Sequence, residues 1–90
     1  MKSEDMKKKL EKIFNHYGEL NQLNKLKEED TELKAELAKY NGLEEIRVET
    51  FSEMADKLVV LSQFAIKYPE IYEIMEQKVD RQIKRMEEVK

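Results

Sequence analysis

Only three residues in this chain, Gly18, Gly42 and Pro69, readily interrupt a helix. The 90-residue sequence contains 2 glycines and 1 proline, whereas charged residues make up 41% of it. This balance favours long helices and leaves few positions for the turns of β-hairpins. The sequence therefore predicts an all-α fold.

The interruptions divide the chain into four predicted helices. Asn41-Gly42 is typical of a helix C-terminal stop, and Pro69 is suited to the first turn of a new helix. Gly18 interrupts the first long segment, and the sequence leaves open whether it breaks or only kinks the helix. The predicted helices cover about 4–17, 19–40, 45–67 and 69–88. Because there is no internal repeat and no linker, residues 1–90 are expected to form one domain.

Charge and composition exclude several kinds of protein. The chain has 20 acidic and 17 basic residues, so it lacks a broad positive field and we expect no nucleic-acid partner. The absence of cysteine excludes disulfides and thiolate metal sites, as suits a reducing compartment. The longest unbroken apolar run is LVVL at 58–61, and the amino terminus lacks the apolar core of a signal peptide. We therefore expect a cytoplasmic protein with no membrane contact.

The chain is short for an independent domain. A protein of this size buries only about 60 to 65% of the surface that its unfolded form exposes, so the core of a lone subunit is marginal. The third predicted helix is apolar around most of its circumference and needs more cover than three neighbouring helices give. The sequence thus predicts a four-helix bundle completed by oligomerisation.

Apolar stripes mark the second and third predicted helices. The stripe of the second helix has Asp30 at its one polar gap and consists of Leu23, Leu26, Leu33, Leu37 and Tyr40. One face of the third helix consists of Phe51, Ala55, Val59, Ser62 and Ile66. Phe14, Tyr17 and Phe51 are able to stack on a nucleotide base but fit the helix stripes better, so we assign them to the core.

Two helices each carry a pair of acids three residues apart, and residues at this spacing are neighbours on one helix surface. Glu29 and Glu32 belong to the second helix, where Glu29 flanks the apolar stripe. Glu53 and Asp56 belong to the third helix, within SEMADKLVVLSQF at 52–64, where apolar residues surround them. Carboxylates are almost never buried unless they are paired or bind a metal.

These two pairs indicate a divalent metal site. If the helices are antiparallel neighbours, four carboxylates converge, and without a cation their repulsion is costly. Oxygen ligands favour Mg²⁺ or Mn²⁺, while the lack of cysteine and the single, distant His16 argue against zinc. Because Mg²⁺ shares its coordination with substrate phosphates, the pattern suggests a nucleotide site.

The two motifs resemble a known family. YGELNQLNKLKEEDTEL at 17–33 and SEMADKLVVLSQF at 52–64 are similar to the MazG-type all-α nucleoside triphosphate pyrophosphohydrolases, which carry ExxE on one helix and ExxD on the next. The approach to the first motif also matches the family series, at Tyr17-Gly18, Gln22, Lys25 and Glu28-Glu29. Asp30 departs from the family, which often has an apolar or small residue there. The resemblance covers about residues 10–85.

The resemblance implies a homodimer or homotetramer that hydrolyses a nucleoside triphosphate to the monophosphate and pyrophosphate, with Mg²⁺ or Mn²⁺ as cofactor. The implied metal ligands are Glu29, Glu32, Glu53 and Asp56. Glu29 or Glu32 would accept the proton of the attacking water. The implied substrate-binding residues are Gln22, Lys25, Lys78, Arg81 and Arg85. The last three also suit the negative end of a helix dipole, whatever their function.

Two other functions fit the sequence. A non-catalytic helical adaptor would use the stripe of the second helix to bind a partner helix and would not respond to Mg²⁺. A phosphoribosyl-ATP pyrophosphatase would share the acid motifs, and a substrate screen would distinguish it. The sequence does not define a pocket for the nucleotide base.

Overall fold

The structure, a computed structural model, describes residues 3–39 and 48–88. These residues form four α-helices: α1 (Ser3–Tyr17), α2 (Glu19–Leu37), α3 (Val48–Lys67) and α4 (Glu70–Glu88). They include no strand, so the prediction of an all-α fold with four helices is confirmed. The predicted stop at Asn41-Gly42 lies outside the described residues. None of the described helices has the length and apolar content needed to cross a membrane.

Gly18 breaks the chain between α1 and α2. Its φ of 88° and ψ of 156° lie in a backbone region that is essentially restricted to glycine. The Gly18 amide donates to the Phe14 carbonyl at 2.8 Å, and its carbonyl accepts from the Gln22 amide at 3.0 Å. A Cβ at this position would meet nothing within 4 Å. The backbone conformation, and not a lack of space, therefore requires glycine here.

The helices α2 and α3 pack as an antiparallel pair. Gln22 near the start of α2 contacts Gln63 near the end of α3, while Asp30 further along α2 contacts Lys57 nearer the start of α3. Helix α1 packs against both, and α4 packs against α3 alone among the described helices. The arrangement leaves the α2–α3 seam, with α1 beside it, as the centre of the fold.

The buried core is small and half polar. Its apolar members are Leu10, Phe14, Val60 and Ala65. Its polar members are Gln22, Glu29, Thr50 and Gln63. The rings of Phe14 and Phe64 meet edge to face, with centroids 5.4 Å apart, and hold α1 against α3.

The apolar stripe predicted for α2 is not its buried face. Leu23 and Leu37 are each 41% exposed, whereas Gln22 and Glu29 are 6% and 3% exposed. Tyr40, the last member of the stripe, lies outside the described residues. Glu29 thus lies within the seam and does not merely flank it. The physical reason is that apolar periodicity shows that a helix is amphipathic, but it does not show which side of the helix packs against the rest of the chain.

The core assignment is confirmed for Phe14, which is 7% exposed, but is wrong for two other aromatic residues. Tyr17 is 55% exposed and Phe51 is 57% exposed. Tyr17 ends α1 at the break, so no following turn covers its ring. Phe51 lies on the face of α3 that α1 and α2 leave uncovered, as does Leu58, which is 61% exposed.

The chain is extended for its size. Its radius of gyration is 15.9 Å, compared with about 12 Å for a compact domain of this length. Its accessible surface is 7698 Å² at a mass of 10.8 kDa, compared with about 5,500 Å² for a typical monomer of that mass. Helix α4 contributes to this excess, because it has no buried residue among those described.

Candidate functional site

Three carboxylates from α2 and α3 meet at the seam between the helices. One oxygen each from Glu29, Glu53 and Asp56 lies within 4.8 Å of the other two. Glu29 is buried, Glu53 is half-buried and Asp56 is exposed. This carboxylate cluster is therefore closed on the Glu29 side and open to solvent on the Asp56 side.

Helix geometry and one ion pair place the carboxylate cluster. Glu53 and Asp56 are three residues apart on α3, which puts them on one surface of that helix. Next to the cluster, Lys57 Nζ donates to Asp30 Oδ1 at 2.7 Å and so links α3 to α2. This hydrogen bond, with the positive charge of Lys57, lowers the pKa of Asp30. Asp30, the residue that departs from the family pattern, thus ties the two helices together beside the cluster.

Two buried oxygens of the carboxylate cluster have no hydrogen-bond partner among the described residues: Glu29 Oε2 and Glu53 Oε2. The other oxygen of Glu29, Oε1, is 3.0 Å from Lys25 Nζ. A buried carboxylate oxygen without a donor is costly, and native proteins rarely keep one. A hard divalent cation takes oxygen ligands of this kind, so the arrangement is one that could hold a metal ion.

The negative charges of the neighbouring carboxylates affect the pKa of Glu53. Burial raises the pKa of the Glu53 carboxyl, and the charges of Glu32, Asp56 and Glu29 raise it further. Glu32 is itself exposed and lies outside the group of three oxygens, so it is a neighbour of the carboxylate cluster and not one of its members. A bound cation would relieve the repulsion.

A cleft of about 630 Å³ opens beside the carboxylate cluster, within the range of about 300 to 1,000 Å³ that is usual for ligand pockets. Glu29, Asp56 and Lys25 line the cleft. Gln22 and Gln63 also line it, and Gln22 Nε2 donates to Gln63 Oε1 at 2.7 Å. The cleft thus joins a charged region to a buried pair of amides.

The predicted substrate-binding residues fall into two groups. Gln22 and Lys25 line the cleft, beside the carboxylate cluster. Lys78, Arg81 and Arg85 do not line it, because they are exposed on α4 and α4 contacts only α3 among the described helices. Their role in substrate binding stays a prediction.

Gln63 was not predicted as a site residue. Gln22 precedes Glu29 by seven residues, and Gln63 follows Asp56 by seven residues. In an antiparallel pair of helices these equal offsets bring the two amides together whenever the two acids meet. This matched spacing is the signal in the sequence that would have found Gln63.

His16, expected at the surface and not as a ligand, is exposed. Its ring packs edge to face on the ring of Tyr17, with centroids 4.7 Å apart. It does not belong to the carboxylate cluster. Among residues 3–39 and 48–88, the cluster therefore offers oxygen ligands and no nitrogen ligand.

Comparison with protein-family models, curated proteins and solved structures finds no match to this chain. The resemblance to the MazG-type enzymes therefore rests on the two acid motifs and the residues that precede the first of them.

Proposed function

We propose that this protein is a Mg²⁺-dependent nucleoside triphosphate pyrophosphohydrolase, which converts its substrate to the monophosphate and pyrophosphate. The observation that carries the proposal is the carboxylate cluster of Glu29, Glu53 and Asp56, with its unpartnered buried oxygens, at the edge of a cleft of ligand size. The motif resemblance supplies the reaction, and the geometry supports the metal site that this reaction needs.

Glu29, Glu53 and Asp56 would hold the ion, with Glu32 beside them. When bound, Mg²⁺ neutralises charge on the phosphates and lowers the pKa of a coordinated water. Glu29 and Asp56 line the cleft, so their oxygens face a triphosphate that enters it. Manganese has the same preference for oxygen ligands and is expected to substitute.

The reaction forms one bond and breaks one. A water oxygen attacks the α-phosphorus, the bond to the bridging oxygen of the β-phosphate breaks, and pyrophosphate leaves with the bonding electrons. Glu32 or Glu29 accepts the proton of the water. Glu29 lines the cleft, whereas Glu32 is beside Glu53, does not line the cleft and is the more accessible of the two.

In this mechanism Lys25 would have two roles, pairing with Glu29 and contacting a phosphate of the substrate. Its ammonium group lies 3.0 Å from Glu29 Oε1, and its side chain is 50% exposed at the cleft. In the metal-free chain it neutralises part of the charge of Glu29. Once Glu29 binds a cation, the ammonium group is released to contact a phosphate in the cleft, as expected for a phosphate-binding lysine.

A pyrophosphate-release screen over canonical and modified nucleoside triphosphates, with Mg²⁺ and with Mn²⁺, tests the proposal. In water labelled with ¹⁸O, the label should enter the nucleoside monophosphate, because the attack is at the α-phosphorus. Asp56→Asn should lose activity by orders of magnitude, whereas Asp80→Asn, an exposed position on α4, should not. Nucleoside diphosphate and orthophosphate as the products would contradict the proposal.

The same screen, with phosphoribosyl-ATP added to the substrates, separates the alternatives. A phosphoribosyl-ATP pyrophosphatase would act on that substrate and leave the other nucleotides intact. A helical adaptor has support in the exposed apolar residues of α4, among them Val79 and Ile83 at 51% and 48% exposure. An adaptor would release no pyrophosphate, and Mg²⁺ would not raise its melting temperature.

A further inference from the structure

The buried amides Gln22 and Gln63 stand apart from the carboxylate cluster. They are 6% and 2% exposed, and the hydrogen bond between them uses Gln22 Nε2 and Gln63 Oε1. Gln22 Oε1 is then left as an acceptor and Gln63 Nε2 as a donor, with no partner among residues 3–39 and 48–88. Because both residues line the cleft, these two groups are available to a ligand in it.

The amides and the acids lie at two ends of one cleft. Each amide is seven residues from an acid on its own helix, Gln22 from Glu29 and Gln63 from Asp56. Seven residues of α-helix span about 10 Å along the axis. This is the length over which a nucleotide extends from its phosphates to its base. A ligand with phosphates at the acids would therefore place its base at the amides.

The walls of the cleft suit a flat ring with a polar edge. Ile13, Val59 and Val60 line the cleft and offer apolar contact to the faces of a ring. Tyr17 also lines it and is 55% exposed, so its phenol ring is accessible for stacking. An adjacent acceptor and donor, as on Gln22 and Gln63, complement the adjacent donor and acceptor on the pairing edge of a nucleobase.

We infer that the end of the cleft at Gln22 and Gln63 is a nucleobase subsite and that these two amides set the base preference. The inference rests on the proposed function for the location of the phosphates, but not on hydrolysis. On this inference, the ring of Tyr17 is exposed because it contacts the ligand. The inference also gives Gln22 a role at the base end of the substrate and not at its phosphates.

Equilibrium binding tests the inference without turnover. The ligands are non-hydrolysable nucleoside triphosphate analogues with four different bases and inorganic tripolyphosphate, each with Mg²⁺, titrated calorimetrically. The variant is the double substitution Gln22→Met and Gln63→Met. It replaces both hydrogen-bond partners by apolar groups of similar shape, and such a replacement is nearly neutral for folding. The control is Gln77→Met, at an exposed position on α4.

The parent should bind at least one analogue more tightly than tripolyphosphate. The double variant at 22 and 63 should lose about tenfold or more in affinity for the preferred analogue, as expected when hydrogen bonds to a ligand are removed. Its affinity for tripolyphosphate should be unchanged, and the control should resemble the parent. An unchanged base preference in the variant, or an equal loss for tripolyphosphate, would overturn the inference.

The outcomes also separate this inference from the proposed function. If the parent binds tripolyphosphate and releases pyrophosphate from nucleotides, but binds no analogue more tightly than tripolyphosphate, only the base subsite is contradicted. If the parent binds analogues with a preference that depends on Gln22 and Gln63, yet releases no pyrophosphate, the proposed enzyme activity is contradicted and the base subsite is supported. Absence of all binding by the parent contradicts both. If the double variant melts early, the titrations are made well below its melting temperature, where unchanged tripolyphosphate binding reports an intact fold.

Discussion

At the scale of single residues, the charge of Asp56 should favour metal binding but lower the stability of the metal-free fold. Without metal, its charge repels Glu53 and Glu29, so Asp56→Asn should be as stable as the parent or more stable in a chelator. With Mg²⁺ the order should reverse. Binding stabilises the parent by about 2.7 kcal/mol at a hundredfold excess over Kd, and the variant loses part of that gain.

Thermal melting of the parent and Asp56→Asn, each in chelator and in millimolar Mg²⁺, measures this reversal. Asp80→Asn serves as the control, because Asp80 is exposed on α4 and lies outside the carboxylate cluster. A variant destabilised equally in both conditions would identify Asp56 as an ordinary structural residue, and the metal site would lose its support.

Glu53 makes a prediction about pH. Burial raises its pKa above the ordinary value of 4.5, with Glu32, Asp56 and Glu29 adding to the effect. An acid with a raised pKa in the folded state stabilises the fold most when it is protonated, and this contribution is lost as pH rises through the raised pKa. In chelator, the parent should therefore lose stability relative to Glu53→Gln as the pH rises from below 4.5 towards neutrality.

Urea denaturation of both proteins across this pH range, in chelator, checks the prediction through the difference between their free energies of unfolding. Gln77→Ala, at an exposed position on α4 without a titratable group, should track the parent throughout. A difference that stays constant with pH would show that Glu53 is not strained by burial and neighbouring charge.

At the scale of the helices, Gly18 gives a prediction that steric contact alone would miss. An added Cβ would meet nothing within 4 Å, but the φ of 88° is unfavourable for any residue with a side chain. Gly18→Ala should therefore destabilise the fold by about 1 to 3 kcal/mol. Incorporation of D-alanine at this position by chemical synthesis should restore stability, because a D-residue accepts positive φ. Equal destabilisation by both alanines would mean that the space matters after all.

The helix ends at Gly18 and Pro69 were predictable, whereas the choice of packed face was not. Glycine and proline act on the local backbone, so Gly18 and Pro69 fix helix ends whatever the neighbours are. Packing depends on partners that are distant in sequence. The leucines of α2 therefore predicted a buried stripe, while the structure buries Gln22 and Glu29 in its place.

In the candidate site, too, local features were predictable and contacts between helices were not. The three-residue spacing predicted that the acids of each pair share a surface, and the structure brings Glu29, Glu53 and Asp56 together. The position of Gln63 depends on the register between α2 and α3, and the equal seven-residue offsets predict it only if Glu29 and Asp56 are already known to meet. Its contact with Gln22 became visible only once the seam was known.

At the scale of the whole molecule, the uncovered apolar surface favours self-association, and we propose that a second copy completes the helical bundle. A stripe of α4 lies within a narrow arc of that helix and is 48% to 68% exposed, at Tyr72, Met75, Val79, Ile83 and Met86. Exposed apolar stripes of this length are typical of interfaces. Light scattering should show a dimer or tetramer at micromolar concentration, and a well-folded monomer of the parent would contradict this.

The stripe can be tested together with the location of the metal site. Val79→Glu and Ile83→Glu place charges on the stripe and should give a monomer, whereas Gln77→Glu, on the opposite side of α4, should leave assembly intact.

Because Glu29, Glu53 and Asp56 come from one chain, the monomeric variant should still bind Mn²⁺, measured by electron paramagnetic resonance. Lys78, Arg81 and Arg85 do not line the cleft of their own chain. If a neighbouring copy supplies them to the substrate, the triphosphate affinity of the monomeric variant should fall. A monomer that keeps full triphosphate affinity would remove these three residues from the substrate site.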